Sequence, residues 1–574
     1  MAAACRTRRA AAKRKWSPAT TFTRKKPGSY SSSRSPNPPT SPRSPASSMN
    51  TNLRLRRSLA LAVLSALALL KPASAETLVL TQSTLKEVNA ALTAGALTSE
   101  QLVKLSLARI AAYDQAGPKL NAVIYNNGER ALAEARALDA ERKSGKVRSA
   151  LHGIPVLVKD NYDTFDMPTT GGALALKDAV PAHDAFMVKK LREAGAIIIA
   201  KTNLDEMARG GNGVSSLGGQ TLNPHALDLI PGGSSAGTGA GVAAVYALVG
   251  LGTETGGSVR HPANDNNIVG MVATEGLLSR AGIMPISMTQ DRGGPMTVSV
   301  YDCAVMLTVM AGIDPNDQIT RLSIGKTPDA PYESFLKPGA LKGKRLGILR
   351  DLFKNGPEHA EYHKLIEDAV TKMKDAGAII IDPVSSGTDL FAMLQGQGVS
   401  NYEFKASFNS YLAARGANQP VSTLADLIKT GKFHPRLKER YAESEAAIVL
   451  ELNAEYAGKY RNRAILKDLL EDLMVKFDLD ALVYPVRSGP LPKAGTWPLP
   501  PGASGQSISD YCGLPAITVP AGFTADGTPN GIEFLGAAFD DAKILQIAYG
   551  YEQTAPHRKL PKITPPLPGE TITY

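Results

Sequence analysis

Hydrophobic positions fall into two spacings along this chain. Leu102, Leu105, Ala108, Ile110 and Ala112 keep a roughly helical stripe. Thr84 with Glu87, and Thr98 with Gln101, have the spacing of capping boxes, so a helix should follow each. Residues 127–143 are alanine-rich with alternating charges, a further predicted helix. Residues 154–158 are a short apolar run of β type that ends on Lys159. A helix is expected over 185–193 and a buried strand over 196–200. The same pair recurs at 365–374 and 378–381, and each junction reads Ala-Gly-Ala-Ile-Ile-Ile. Glycine just past a helix is the usual C-terminal stop. Residues 239–251 are small, apolar and uninterrupted, which predicts a buried helix. Residues 400–475 read as amphipathic helices, the candidate for an inserted cap or lid. Late strands are expected at 481–486 and 515–520, with a Pro- and Gly-rich loop over 488–505. No linker interrupts 76–574. The pattern predicts an α/β fold: a single large domain with a mixed central β-sheet flanked by helices.

Charge changes the picture at one end only. The 574 residues carry a formal net charge of +11. Residues 1–75 hold 15 Lys and Arg and no acid, leaving 49 basic and 53 acidic residues beyond them. The body is therefore slightly acidic, and nucleic acid is not an expected partner. Residues 1–48 are rich in Arg, Lys, Ser and Pro, a composition that favours disorder, or they precede the true start at Met49. Then follow Arg54, Arg56 and Arg57, an apolar run over 59–70, and Ala73-Ser74-Ala75. That order is a signal peptide over 49–75, cleaved after Ala75. The run is short for a membrane span, so no stable insertion is expected after cleavage. The expected location is periplasmic or secreted. A signal anchor, a buried helix and an organellar transit peptide are the alternatives, and Arg56-Arg57 hints at twin-arginine export.

Cys5 leaves with the leader. Cys303 and Cys512 make no disulfide framework and are expected as buried free thiols. No Cys/His cluster has metal-ligand spacing, so neither metal nor cofactor is expected. The eight histidines form no pattern. His261 lies nearest the serine loops and reads as structural or cleft-lining.

Two glycine-rich serine loops carry the candidate chemistry. Gly252-Thr253-Glu254-Thr255-Gly256-Gly257-Ser258-Val259-Arg260 can present a hydroxyl together with backbone amides pointing one way, as an oxyanion requires. An ordinary Gly-rich turn is the plain alternative. Pro231 to Gly237 precedes a predicted helix, so its amides could hold an anion or oxyanion. Its Gly233-Ser234-Ser235-Ala236-Gly237 also matches Gly-x-Ser-x-Gly, which would make Ser235 a nucleophile with His557 as a late partner. Leu229-Ile230-Pro231 supplies no strand for such an elbow, which argues against it. No histidine lies in either serine loop, and a serine needs a base. Lys159 follows an apolar run and is a candidate, although a lysine at a strand end is usually solvated. As a base its pKa must fall from about 10.4 to near neutrality, about 4 kcal/mol, which burial can supply. Asp160 would oppose that fall if it pointed the same way.

Together these segments resemble the amidase signature family of Ser-Ser-Lys amide hydrolases, from about residue 80 to 555. The resemblance rests on Lys159-Asp160-Asn161, Lys201-Thr202-Asn203-Leu204-Asp205-Glu206, the two serine loops through Ala263, Gln290 to Met296, and Gly513 to Pro520. It implies Ser258 as the acyl-enzyme nucleophile, Ser234 as a bridging serine beside a cis peptide, and Lys159 as the neutral base. It implies oxyanion amides from Thr255, Gly256, Gly257 and Ser258, with Ser235 and Arg260 as supporting residues. Many relatives carry Asp where this chain has Glu254, and Gly where it has Ala236. The Gly-Thr-Glu-Thr form and Gly219-Gln220-Thr221-Leu222-Asn223-Pro224 look like exported bacterial peptide-amidase-like members. The implied reaction converts a carboxylic amide, small or a peptide C-terminal amide, to acid and ammonia, in a monomer or homodimer. The alternatives are a non-catalytic amide-binding protein and a glutamyl-tRNA amidotransferase A-like glutaminase subunit. Substrate choice is expected in the helical insertion and around Gln506–Ser509.

Overall fold

The structure, a computed structural model, describes residues 76–416, 419–447, 450–500, 506–554 and 557–574. The expected signal peptide lies outside the described residues. Eleven strands form one sheet: β1 (Val123–Asn126), β2 (Pro155–Lys159), β3 (Ile197–Thr202), β4 (Val249–Glu254), β5 (Val269–Val272), β6 (Arg292–Thr297), β7 (Arg345–Leu349), β8 (Ile379–Val384), β9 (Ala481–Pro485), β10 (Ala516–Phe523) and β11 (Pro529–Leu535). Their order is β8-β7-β9-β11-β10-β5-β6-β4-β2-β3-β1. β2 runs parallel to both β3 and β4, whereas β4 is antiparallel to β6. The sheet is mixed, as the hydrophobic pattern predicts. β2 is buried along its whole length, which is why it reads as a continuous apolar run rather than an alternating one. A separate two-stranded pair joins Thr77–Val79 to Thr571–Thr573.

The N-terminal helices start where their caps predict. Thr84 and Glu87, and Thr98 and Gln101, close reciprocal capping boxes on Leu85–Ala94 and Ser99–Ile110. The twin junctions both run helix–glycine–strand, with φ of +90° at Gly195 and +95° at Gly377. Their fates differ: β3 is buried throughout, whereas β8 lies at the sheet edge and is largely solvent-facing.

One element departs from expectation. The helix predicted over 239–251 is the helix Ala236–Ala243, followed by strand β4 from Val249. A run of small apolar residues has no polar position to set a period, so helix and strand look alike in it. Gly250 marks the strand part. A Cβ there would stand 2.7 Å from Thr238 Cγ2, because the helix lies directly on β4.

Residues 400–476 form Ser400–Ala414, Leu424–Thr430, Lys438–Ala446 and Ala454–Lys476. The first three share an apolar cluster built on Phe404, Phe408, Leu412 and Tyr441, which also takes in Met207 and Ile286. The last sends Leu466, Leu470 and Leu473 into a different cluster with Leu349 and Tyr484 beside the sheet. The insertion is thus pinned at two places. Cys303 and Cys512 are buried and unbridged.

Candidate active site

β2 delivers Lys159 into the interior with no exposed surface. Its Nζ lies 2.8 Å from Ser234 Oγ, 2.8 Å from Thr253 Oγ1 and 3.2 Å from the Thr253 carbonyl. Thr253 comes from neighbouring β4, and Asn161 Nδ2 donates to its Oγ1 at 2.9 Å. Burial lowers the Lys159 pKa to about 7, against the pull of Asp205, Asp291 and Glu254. A neutral amine has two N–H groups and one lone pair. The two Thr253 oxygens suit the former, and the Ser234 hydroxyl can donate to the latter. Asp160 does not oppose the shift. It turns away and pairs with buried Lys201 at 2.9 Å.

Ser234 follows a cis peptide bond from Gly233. Ser235 ties the loops together: its amide donates to the Ser258 carbonyl at 3.3 Å, and its Oγ donates to the Thr253 carbonyl at 3.2 Å. That hydroxyl is fully buried, so Ser235 is a brace in the Gly-x-Ser-x-Gly match. His557 stacks on Tyr551 and lines another cavity with Glu552. Ser235 and His557 are not brought together.

Ser258 is the one member of the lysine–serine–serine set that lines the main cavity. Thr255 and Gly256 line it too, and Gly257 turns the loop at φ +96°. Among the described residues no acceptor takes the amides of Gly256, Gly257 or Ser258. The next two amides are occupied: Val259 and Arg260 donate to Glu254 Oε2 at 2.8 and 3.0 Å. Among the described residues no direct hydrogen bond joins the Ser234 and Ser258 hydroxyls; catalytic hydrogen bonds often tighten only with substrate bound. Thr255 Oγ1 donates to Asp291 at 2.5 Å, and Gln290 Nε2 donates to the Thr255 carbonyl at 3.0 Å. Burial raises Asp291 to about 6.

Arg260 is fully buried and anchors this loop from behind. Its guanidinium meets Glu254 at 2.6 Å, Asp510 at 2.8 Å, and Glu533. Arg292 reaches Asp510 at 3.5 Å. Two guanidinium groups here face three carboxyl groups. Burial and the Glu254 charge push Asp510 well up. Burial opposes ionisation of Glu254 as well, yet Arg260 beside it holds it below the usual carboxylate range. The longer side chain at this position reaches both the two amides and the arginine. His261 is held neutral: burial and Arg260 push it down to about 3. Its Nε2 lies 2.9 Å from the Gln506 carbonyl.

The cavity in front of Ser258 has a volume of about 660 Å³. Among the described residues its lining includes Arg209, Arg440 and Lys459 and no acidic residue. A neighbouring cavity of about 320 Å³ shares Gly398, Asn401 and Lys459 with it. Trp497 closes another side, with Arg436 and Arg440 over its ring at 5.1 and 5.7 Å. The helical insertion therefore walls the cavity. Of the late loops expected beside it, Trp497 to Pro500 and Tyr511 reach the lining, while Gln506 and Ser509 stand behind the serine loop, bonded to His261 and Arg292. The basic wall was missed by sequence reasoning. Arg440 and Lys459 look like ordinary solvated helix charges, and only Arg209, three residues beyond the Lys201–Glu206 motif, sits beside a recognisable signal.

A large mixed sheet that buries a lysine against a serine, with a second serine facing a cavity, is the architecture of an enzyme that cleaves amide C–N bonds. The Amidase family profile matches residues 101–545. A probable amidase of Arabidopsis thaliana is 34% identical over 84% of this chain and 91% of its own length. The A-type glutamyl-tRNA(Gln) amidotransferase subunit of Moorella thermoacetica is 33% identical over 81% of this chain and 96% of its own. Among solved structures, native peptide amidase from Stenotrophomonas maltophilia superposes with a TM-score of 0.74 at 37% identity, covering 84% of this chain and 99% of that one. The chain belongs to the amidase family and is an amide hydrolase.

Proposed function

We propose that this protein removes ammonia from the C-terminal amide of peptides, through an acyl-enzyme on Ser258. The observation that carries the reading is the 2.8 Å contact between Ser234 Oγ and the fully buried Lys159 Nζ, whose pKa lies at about 7. Ser258 Oγ attacks the amide carbon. Its proton passes to Ser234 as the Ser234 proton passes to the neutral lysine. The negative charge on the substrate oxygen is met by the amides at Gly256, Gly257 and Ser258. The relay then runs backwards, the nitrogen takes the proton, and ammonia leaves. Water, activated through the same relay, breaks the ester and releases the acid. Ser235 and Arg260 keep the two loops in register.

The cavity of about 660 Å³ and its continuation along the insertion suit an acyl group of peptide size. Similarity to a peptide amidase supports the same choice. The leader over 49–75 supports export, with the mature enzyme beginning at Glu76.

The test is ammonia release by the full chain and by Ser258→Ala, from a panel of peptide amides, small aliphatic and aryl amides, and free glutamine. Wild type should favour the peptide amides, and Ser258→Ala should lose activity at least ~1,000-fold with its thermal melt kept. Preference for free glutamine, or full activity in Ser258→Ala, would overturn the reading. N-terminal sequencing of exported protein checks the cleavage site.

A further inference from the structure

Arg209 is 4% exposed, and its Nε and Nη1 have no hydrogen-bond partner. Its Nη2 alone is engaged, by Asn401 Oδ1 and by Ser444 Oγ at 3.4 Å. The Phe404 ring lies 4.5 Å beneath the guanidinium and fixes its plane. Arg440 donates to the Arg209 carbonyl at 3.2 Å. Neither arginine forms an ion pair among the described residues. The remaining segments contain no aspartate or glutamate, so every carboxylate that could serve lies among the described residues. Two acids influence Arg209, Asp291 and Glu443. Asp291 is taken by Thr255 and the amides of Ile286 and Ser287, while Glu443 is exposed, lines the neighbouring cavity with Lys459 and forms no ion pair with either arginine. Lys459, paired only with exposed Glu455 at 3.0 Å, stands where the two cavities join.

Burying a guanidinium with free donors and no counter-ion is unfavourable unless a ligand supplies the anion. Each free N–H of a buried guanidinium suits one carboxylate oxygen, in a charge-assisted hydrogen bond. We propose that Arg209, with Lys459, forms a carboxylate subsite, so that the enzyme selects peptide amides carrying an acidic side chain upstream of the amide. The inference rests on the peptide-amide reading above.

Three N-acetylated peptide amides that differ only in the penultimate residue (Glu, Met or Lys) test it with the full chain. Wild type should hydrolyse the Glu peptide with kcat/KM at least tenfold above Met, and Met above Lys, as charge-assisted hydrogen bonds require. In Arg209→Gln and in Lys459→Met the Glu-to-Met ratio should collapse toward one, chiefly through KM. Lys459 is partly exposed, so its variant keeps the test valid should Arg209→Gln fail to fold. Calorimetric binding of the same peptides to Ser258→Ala separates the two claims. Hydrolysis of all three peptides with no preference for Glu, and equal binding, overturns the subsite while leaving the amidase reading intact. Tighter binding of the Glu peptide without any hydrolysis by wild type supports the subsite and overturns the peptide-amide reading.

Discussion

Activity should switch on as pH rises through 7, and Lys159 sets the midpoint. With its pKa at about 7, the amine is neutral in ~10% of molecules at pH 6 and ~90% at pH 8. A lysine left at the ordinary 10.5 would be neutral in roughly one molecule in 3,000 at pH 7. The burial imposed by β2 is thus worth about 5 kcal/mol of proton affinity. Protonation on the acid side fills the lone pair that must accept the serine proton, so kcat/KM should fall about tenfold per pH unit below 7 and level off above it. The assay is initial-rate ammonia release from one peptide amide between pH 5 and 9. Lys159→Met should lose at least ~1,000-fold throughout. Asp291, at about 6, is the rival titrating group near the site. In Asp291→Asn the limb should persist, with its midpoint moved slightly lower, because a negative charge that favours the ammonium form has gone. Stability should carry the same signature. Between pH 7 and 10.5 the unfolded lysine binds a proton that the folded one does not, so this residue makes stability rise with pH across that window. A flat profile from pH 5 to 8, a limb centred above 9, a limb abolished by Asp291→Asn, or more than a tenth of the activity left in Lys159→Met would refute the assignment.

Two further substitutions probe the frame around Ser258. Arg260→Met leaves Glu254, Asp510 and Glu533 buried without their arginine; denaturant unfolding should show a loss of about 3–5 kcal/mol, and a loss under 1 would show the cluster to be unimportant. Gly257→Ala places a Cβ 1.9 Å from His261 Cε1 on a backbone at φ +96°, so the loop must move; kcat should drop by about 100-fold with a smaller change in KM, and near-normal kcat would mean that the loop tolerates displacement.

The reacting groups were legible in the sequence because their chemistry is local. A serine among glycines and a lysine closing an apolar run announce themselves over a few residues, and so do the capping boxes at Thr84 and Thr98. Residues 239–251 failed for the opposite reason: Ala, Gly and Val fit a buried helix and a buried strand equally well, and only the neighbours β2 and β6 decide. The junctions at Gly195 and Gly377 make the same point, since one leads to a fully buried strand and the other to an exposed edge. The basic wall was least legible. Arg209, Arg440 and Lys459 come from three separate segments, and each looks like a surface charge until Phe404, Asn401 and Trp497 are seen around them. Around Gln506–Ser509 wall and brace alternate within a few residues: Pro500 and Tyr511 line the cavity, whereas Gln506 and Ser509 hold the serine loop from behind, and a polar loop looks the same in either role.

The pairing of Thr77–Val79 with Thr571–Thr573 has a consequence for how the chain matures. Thr77–Val79 cannot pair until Thr571–Thr573 have been synthesised, and closing a loop of that length costs about 5 kcal/mol of chain entropy unless the intervening domain has already folded. The pair therefore closes over a domain that has already folded. Glu76 and Tyr574 end up exchanging backbone hydrogen bonds at 2.7 and 2.9 Å. Glu76 and Tyr574 lie within reach of a short covalent bridge, so the domain between them is suited to circular permutation, with new ends opened in a surface loop far from Ser258.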